Sequence, residues 1–225
     1  SSTLVVAQQQ SIQVKLNQLG FYPKSHKLAI TPSNDATTYH LREEKNGNIV
    51  YQGNLENGGF YNLSGETVKV ANFSEFTRQG AYILGVDGGG ESFPFNIGNH
   101  QFISLNAALI KAMYFNRASI ALGQEYAEKW SRSAGHPDTL VIIHGSAAST
   151  SRPNGSNISS PGGWYDAGDF NKYVVPISSS INHMLFAYEN FPSFFESQNL
   201  NIPESNNSIP DILDENRYAL DWLLT

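Results

Sequence analysis

A chain of 225 residues with a charged fraction of 15% has room for one large or two small domains, each able to bury a core. Its formal charge of −6 and lack of any Lys/Arg cluster exclude the basic surface that nucleic acid demands, whereas a neutral polysaccharide is compatible as a partner. The absence of cysteine excludes a disulfide framework and thiol chemistry, and no apolar run reaches the length of a membrane span.

Residues 1–10 end in a Gln run and are expected to be a tail or linker. The Ser-Ser start carries no basic n-region, so any signal peptide is expected to be already removed or absent from this sequence; length and composition agree with a protein outside the cytoplasm, secreted, periplasmic or at the cell surface. Over 11–98, short β-rich runs alternate with turn residues (IQVKL, KLAIT, TTYHLRE, NIVYQG, ETVKVANF, GAYILGV, ESFPFNI), which is the spacing of an all-β sandwich. Ile12, Val14 and Leu16 alternate onto one face, and Asn46-Gly47 predicts a two-residue type I′ hairpin with both residues at positive φ. His26 and His40 have no partners at metal-ligand spacing and are expected to be solvated or packed. After Gly98-Asn99-His100 the apolar period changes from two to about 3.6, marking a boundary before an all-α region over 99–225. Helices are predicted over Gln101–Leu122, extended or resumed through Glu125–Lys129, over Asn171–Tyr188 with Pro176 in the first turn, and from Ile209 or Pro210 to the end. Pro137–Pro161 is a polar connection suited to lie over an active face, with Trp130, His136 and His144 placed to line a cleft.

The chemistry concentrates in Gly162-Gly163-Trp164-Tyr165-Asp166-Ala167-Gly168-Asp169-Phe170. One carboxylate aimed at a water acts as a general base, and a second holds the water's other hydrogen. Ala167 and Gly168 let the backbone turn tightly enough for both acids to converge, while Trp164 and Tyr165 offer flat faces on which sugar rings rest. The other reading is a glycine-rich turn with Asp169 as a helix N-cap.

From Gly162 to Val175, GGWYDAGDFNKYVV resembles the catalytic-base segment of the family 9 glycoside hydrolases, mostly endoglucanases that cut β-1,4-glucan. VKLNQLGFYP (14–23) and GAYILGVDGGGESFPFNI (80–97) resemble the immunoglobulin-like module that precedes the catalytic domain in some members. AMYFNRASIAL (112–122), RSAGHPD (132–138) and IPESNNSIPDILDENRYALDWLL (202–224) resemble its first catalytic segments. The resemblance implies a multidomain chain: an all-β immunoglobulin-like sandwich over 11–98, then over 99–225 the all-α start of an incomplete (α/α)6 barrel. It implies Asp169 as general base and Asp166 as the residue positioning the water, in an inverting hydrolysis. Trp164, Tyr165 and Tyr173 would bind substrate, with core packing as the alternative for these rings. The family's general acid is a glutamate near the far end of the catalytic domain, with no counterpart here, so this chain is expected to need the remainder of that domain for activity. An exo-acting glucosidase or glucosaminidase of the same family, and a non-catalytic fragment or interaction module, stand as alternatives.

Glu204, Asn207, Asp211 and Asp214 form an oxygen-rich run that can supply calcium ligands, as the matching segment does in some relatives; the other reading is a polar loop with acids complementing a helix dipole. No zinc is expected. Where some members hold zinc with Cys and His, this chain has Ala118, Ser119 and Gly135 around a single His136, and Tyr165 stands where many relatives have His. No organic cofactor is expected.

Overall fold

A computed structural model describes residues 14–32 and 35–225, leaving the tail over 1–10 and Ile12 outside the described residues. The chain divides into two compact units, Ser1–Ile103 and Ser104–Thr225.

The first unit contains β1 (Lys15–Leu16), β2 (Leu28–Pro32), β3 (Thr38–Glu43), β4 (Ile49–Tyr61), β5 (Glu66–Asn72), β6 (Gly80–Val86), β7 (Gly90–Glu91) and β8 (Phe95–Ile97). Strands lie in the order β1-β2-β5-β4-β3-β6-β7, with β8 also on β6. Sequence patterning ends the fourth run at Gly53, yet β4 continues to Tyr61. Its first half pairs with β3 up to Thr38↔Asn54, and from Leu55 onward it pairs with β5, so one strand serves both layers. The register shift between Asn57 and Gly59 falls beside Gly58, where a Cβ would come within 2.9 Å of Val68. The turn before β4 also differs from expectation. Glu43 N–H bonds Asn48 O and Gly47 N–H bonds Glu43 O, both at 2.9 Å, which makes a four-residue connection in which Gly47 alone of the Asn-Gly pair takes positive φ.

Alternation buries Tyr39 and Leu41 of β3, Tyr82 and Leu84 of β6, and Ala29 of β2 against Phe73 and Phe95. Phe21 meets Phe73 and Phe95 edge-on at 5.3 and 5.7 Å, the arrangement aromatic quadrupoles favour. Lys27 is fully buried, its ammonium donating to the carbonyls of Pro23 (2.7 Å), Ser25 (2.9 Å) and Ser74 (3.0 Å). All three donors are thus satisfied, and burial lowers its pKa.

The second unit carries α1 (Ile103–Phe115), α2 (Gln124–Ala127), the short strands β9 (Val141–Ile142) and β10 (Asn157–Ile158), α3 (Val174–Asn190), α4 (Pro192–Glu196) and α5 (Asp211–Leu223). α1 stops at Phe115 rather than Leu122. Beyond it the chain is extended, bridging Arg117 to Trp164 and Leu122 to Arg132, with Ser119 at φ 66°. Ile120 and Leu122 keep helical spacing, but Leu122 reaches the core from this extended segment, because Arg117 must place its buried guanidinium against the carboxylates of Glu204 and Glu215. The long connection is not wholly irregular: β9 and β10 pair antiparallel within it. Trp164, Ile177, Ile181 and Ala219 join α3 to α5, while Ile110, Tyr114, Leu122, Phe195, Ile202 and Ile212 form the neighbouring cluster.

Candidate active site

Two glycines set the entrance to the carboxylate turn. Gly162 and Gly163 take φ of 88° and 76°, and a Cβ on Gly163 would lie 2.8 Å from the Trp222 ring. Gly163 O then accepts from Ala118 N–H and Tyr165 N–H donates to Asn116 O, each at 2.8 Å, so residues 163–165 run antiparallel to 116–118. This register turns Trp164 inward and delivers Asp166 to the surface.

The turn itself closes through Phe170 N–H on Ala167 O (3.0 Å) and Asp166 N–H on Asn171 O (2.9 Å). Asp166 and Asp169 are both exposed. Asn171 holds Asp169 at both oxygens, its backbone N–H on Oδ1 at 3.3 Å and its side-chain amide on Oδ2 at 2.9 Å. Asp169 therefore caps its own turn and no helix: α3 starts at Val174, preceded by an extended Tyr173 that makes no side-chain cap. Chemically, the turn presents a carboxylate held by a neighbouring amide and open to water, beside a second exposed carboxylate. That is the composition of a general-base site.

The three aromatics divide. Trp164 is 2% exposed and packs with Ile177, Ile181 and Ala219, which places its ring in the core rather than on a cleft wall. Tyr165 is 9% exposed and Tyr173 is 46% exposed, so of the three Tyr173 alone presents substantial surface to a sugar. Tyr165 instead positions the turn from beneath. Its hydroxyl lies 2.9 Å from His136 Nδ1, the Arg132 guanidinium sits 5.6 Å from its ring, and Phe170 meets it edge-on at 5.2 Å. His136 also stacks on Phe170 at 5.1 Å and 25°. Phe170 has φ 61°, a conformation a bulky side chain adopts only under constraint, and it directly follows Asp169. Ala118, Ser119 and Gly135 offer His136 no soft ligand. Ser119 Oγ donates to His136 O at 2.9 Å and accepts from Gly162 N–H at 3.0 Å. Trp130 and His144 are exposed, and His144 Nδ1 is bound to Ser146.

Below the turn lies Arg117, 1% exposed. Its guanidinium grips Glu204 through two bonds of 3.0 Å, approaches Glu215 to 2.7 Å, and lies between the rings of Tyr114 (5.2 Å) and Tyr218 (4.5 Å). Burial pushes the Glu215 carboxyl up to about 7 against the opposing pull of Arg117. The four candidate calcium ligands all have partners within the protein, two of them each other. Glu204 is on Arg117, Asp211 Oδ2 accepts from Leu200 N–H (2.6 Å) and Ser205 Oγ (2.7 Å), and Asn207 donates to Asp214 at 3.0 Å. Among the described residues no three His, Cys, Asp or Glu side chains gather into one group.

Sequence reasoning did not single out Asn171, Lys172 or Phe170. Asn171 had a readable signal, since an Asp with a polar residue two positions on is the spacing of an Asx turn. Lys172 had none, because its partners lie 10 to 34 positions upstream.

Residues 9–91 match the family described as the cellulase N-terminal immunoglobulin-like domain, and residues 102–225 match glycosyl hydrolase family 9. The chain is 42% identical over 94% of its length to a xyloglucan-specific endo-β-1,4-glucanase of Bacteroides ovatus, of which it covers 36%. It is 35% identical over 95% of its length to endoglucanase D of Acetivibrio thermocellus, covering 33% of that protein. A solved Bacteroides ovatus GH9 structure superposes with a TM-score of 0.88 at 41% identity, over 95% of this chain and 39% of the other. The chain thus spans about a third of the length of these curated relatives.

Proposed function

The chain belongs to glycosyl hydrolase family 9, and from that footing we propose that the protein carrying it is an endo-β-1,4-glucanase whose water is activated at the Asp166–Asp169 turn. The observation that supports this most directly is the exposed Asp169 carboxylate, held at both oxygens by Asn171 on a turn locked to the body of the unit. In the proposed reaction Asp169 takes a proton from water while Asp166 accepts a hydrogen bond from its other O–H. The water oxygen bonds to the anomeric carbon as the glycosidic C–O bond breaks, with inversion. The leaving oxygen takes its proton from an acid on the opposite side of the bond, on this reading a glutamate outside these residues. Tyr173 is the aromatic best exposed to meet the glucan. The relative at 42% identity favours a branched substrate, xyloglucan, as the second reading. On this reading the protein meets its polymeric substrate outside the cytoplasm; separately, no described helix is long and apolar enough to cross a membrane.

The test is sugar release by the full-length protein from carboxymethyl cellulose and from xyloglucan. Asp169→Ala should lower kcat by about 10³ with an unchanged melting temperature. Retained activity in that variant would reject Asp169 as the base. Proton NMR of the first product anomer reports inversion, and the drop in viscosity per bond cut separates internal from terminal cleavage.

A further inference from the structure

Lys172 lies at the foot of the carboxylate turn, three positions after Asp169 and just before α3. Its side chain is 10% exposed, and its three N–H groups are all engaged: Asp138 Oδ2 at 2.5 Å, Ser160 O at 2.9 Å and Gly162 O at 3.0 Å. The Trp222 ring lies 5.3 Å from the ammonium. These partners are not scattered. Asp138 begins the long polar connection, Ser160 ends it, and Ser160 N–H donates to Asp138 O at 2.8 Å to make a neck. Gly162 opens the carboxylate turn that Lys172 itself closes. A largely buried ammonium with every donor used tolerates little displacement, because each lost bond leaves charge unpaired in a poorly solvated place.

We propose that Lys172 is a positioning residue for water activation, joining the neck of the 138–160 loop to both ends of the carboxylate turn and thereby fixing where Asp166 and Asp169 point. The entering side of the turn has independent anchors, the bonds of residues 163 and 165 to 118 and 116. The leaving side, which carries Asp169, has the Asp166–Asn171 bond, the packing of Phe170 on His136 and Tyr165, and Lys172. Loss of the ammonium therefore loosens the half of the turn that holds the base, because it removes the only one of these ties that reaches the 138–160 neck. Since the base acts on water in the transition state, such freedom lowers kcat rather than weakening glucan binding. The kinetic consequence rests on the hydrolase reading above; the positional one does not.

Hydrogen exchange and steady-state kinetics on the full-length protein test it with Lys172→Met and Lys172→Arg. In Lys172→Met the amides of Asp166, Phe170 and Asn171 should exchange at least about tenfold faster while those of Ala118 and Tyr165 stay near wild type. kcat should fall about tenfold or more with KM within about twofold, and Lys172→Arg should recover part of both effects. Unchanged exchange at the three turn amides, or a uniform rise through the unit, overturns the proposal, as does a wild-type kcat. If Lys172→Met does not fold, Asp138→Asn keeps the two carbonyl bonds and should show the same pattern more weakly; wild-type exchange there also overturns it. A wild-type protein that releases no sugar defeats the hydrolase reading, and the exchange pattern still decides the role of Lys172.

Discussion

Asp169 and Asn171 make a local pair that sets the carboxylate's direction relative to the turn, while the placement of the turn rests on its anchors to the rest of the unit. Asn171→Ala removes the amide that holds Oδ2 and should cut kcat by about tenfold with little change in KM, since the carboxylate is kept but its direction is loosened. An unchanged kcat would show that the backbone N–H alone suffices. Glu215 carries a different signature. Its carboxyl is raised to about 7 from an ordinary 4.5, so between those values the folded state binds a proton more tightly than the unfolded chain. Stability should therefore fall as pH rises from 4.5 to about 7 and level off above it, with a slope of at most about 1.4 kcal/mol per pH unit. Urea midpoints of Glu215→Gln across that range should lack this slope, whatever their absolute offset. Parallel curves for the two proteins would contradict it.

At the scale of elements, the site depends on a glycine pair feeding an antiparallel bridge. Gly163→Ala forces a side chain into positive φ and against Trp222, and should cost roughly 2–3 kcal/mol by urea denaturation, with loss of activity. Gly168→Ala is the contrast, because nothing lies within 4 Å of a Cβ there, and it should shift stability by less than about 0.5 kcal/mol. The motif and the sandwich were legible because they rest on local chemistry: alternating strands, helical periods around Ile177 and Ile181, and two aspartates between small residues. What escaped was decided by partners distant in sequence. α1 keeps helical periodicity past Phe115, but Arg117 is drawn to Glu204 and Glu215, and its backbone pairs with Trp164. β4 runs past Gly53 because a second sheet edge, β5, takes it up. Trp164 close to two candidate catalytic aspartates suggested a sugar platform, yet the strand register points it inward toward α3 and α5. The Asn46-Gly47 pair marked the right turn and the wrong loop length, since hairpin register follows the bonds of Glu43 rather than the dipeptide alone.

At the scale of the whole molecule, each unit has its own buried clusters, and those of the first draw all their members from Val14 to Ile97. Residues 1–103 expressed alone should therefore fold and lose structure in one cooperative step, with β4 tying both layers into a single transition. Two separated transitions in denaturant would argue against this. Lys27 gives that unit its own clock. A primary amine enclosed by three carbonyls is shielded from acylating reagents as long as the sandwich stays shut, while surface amines label at once. The lag before mass spectrometry finds a tag on Lys27 measures how often this unit opens, without any probe being engineered into it.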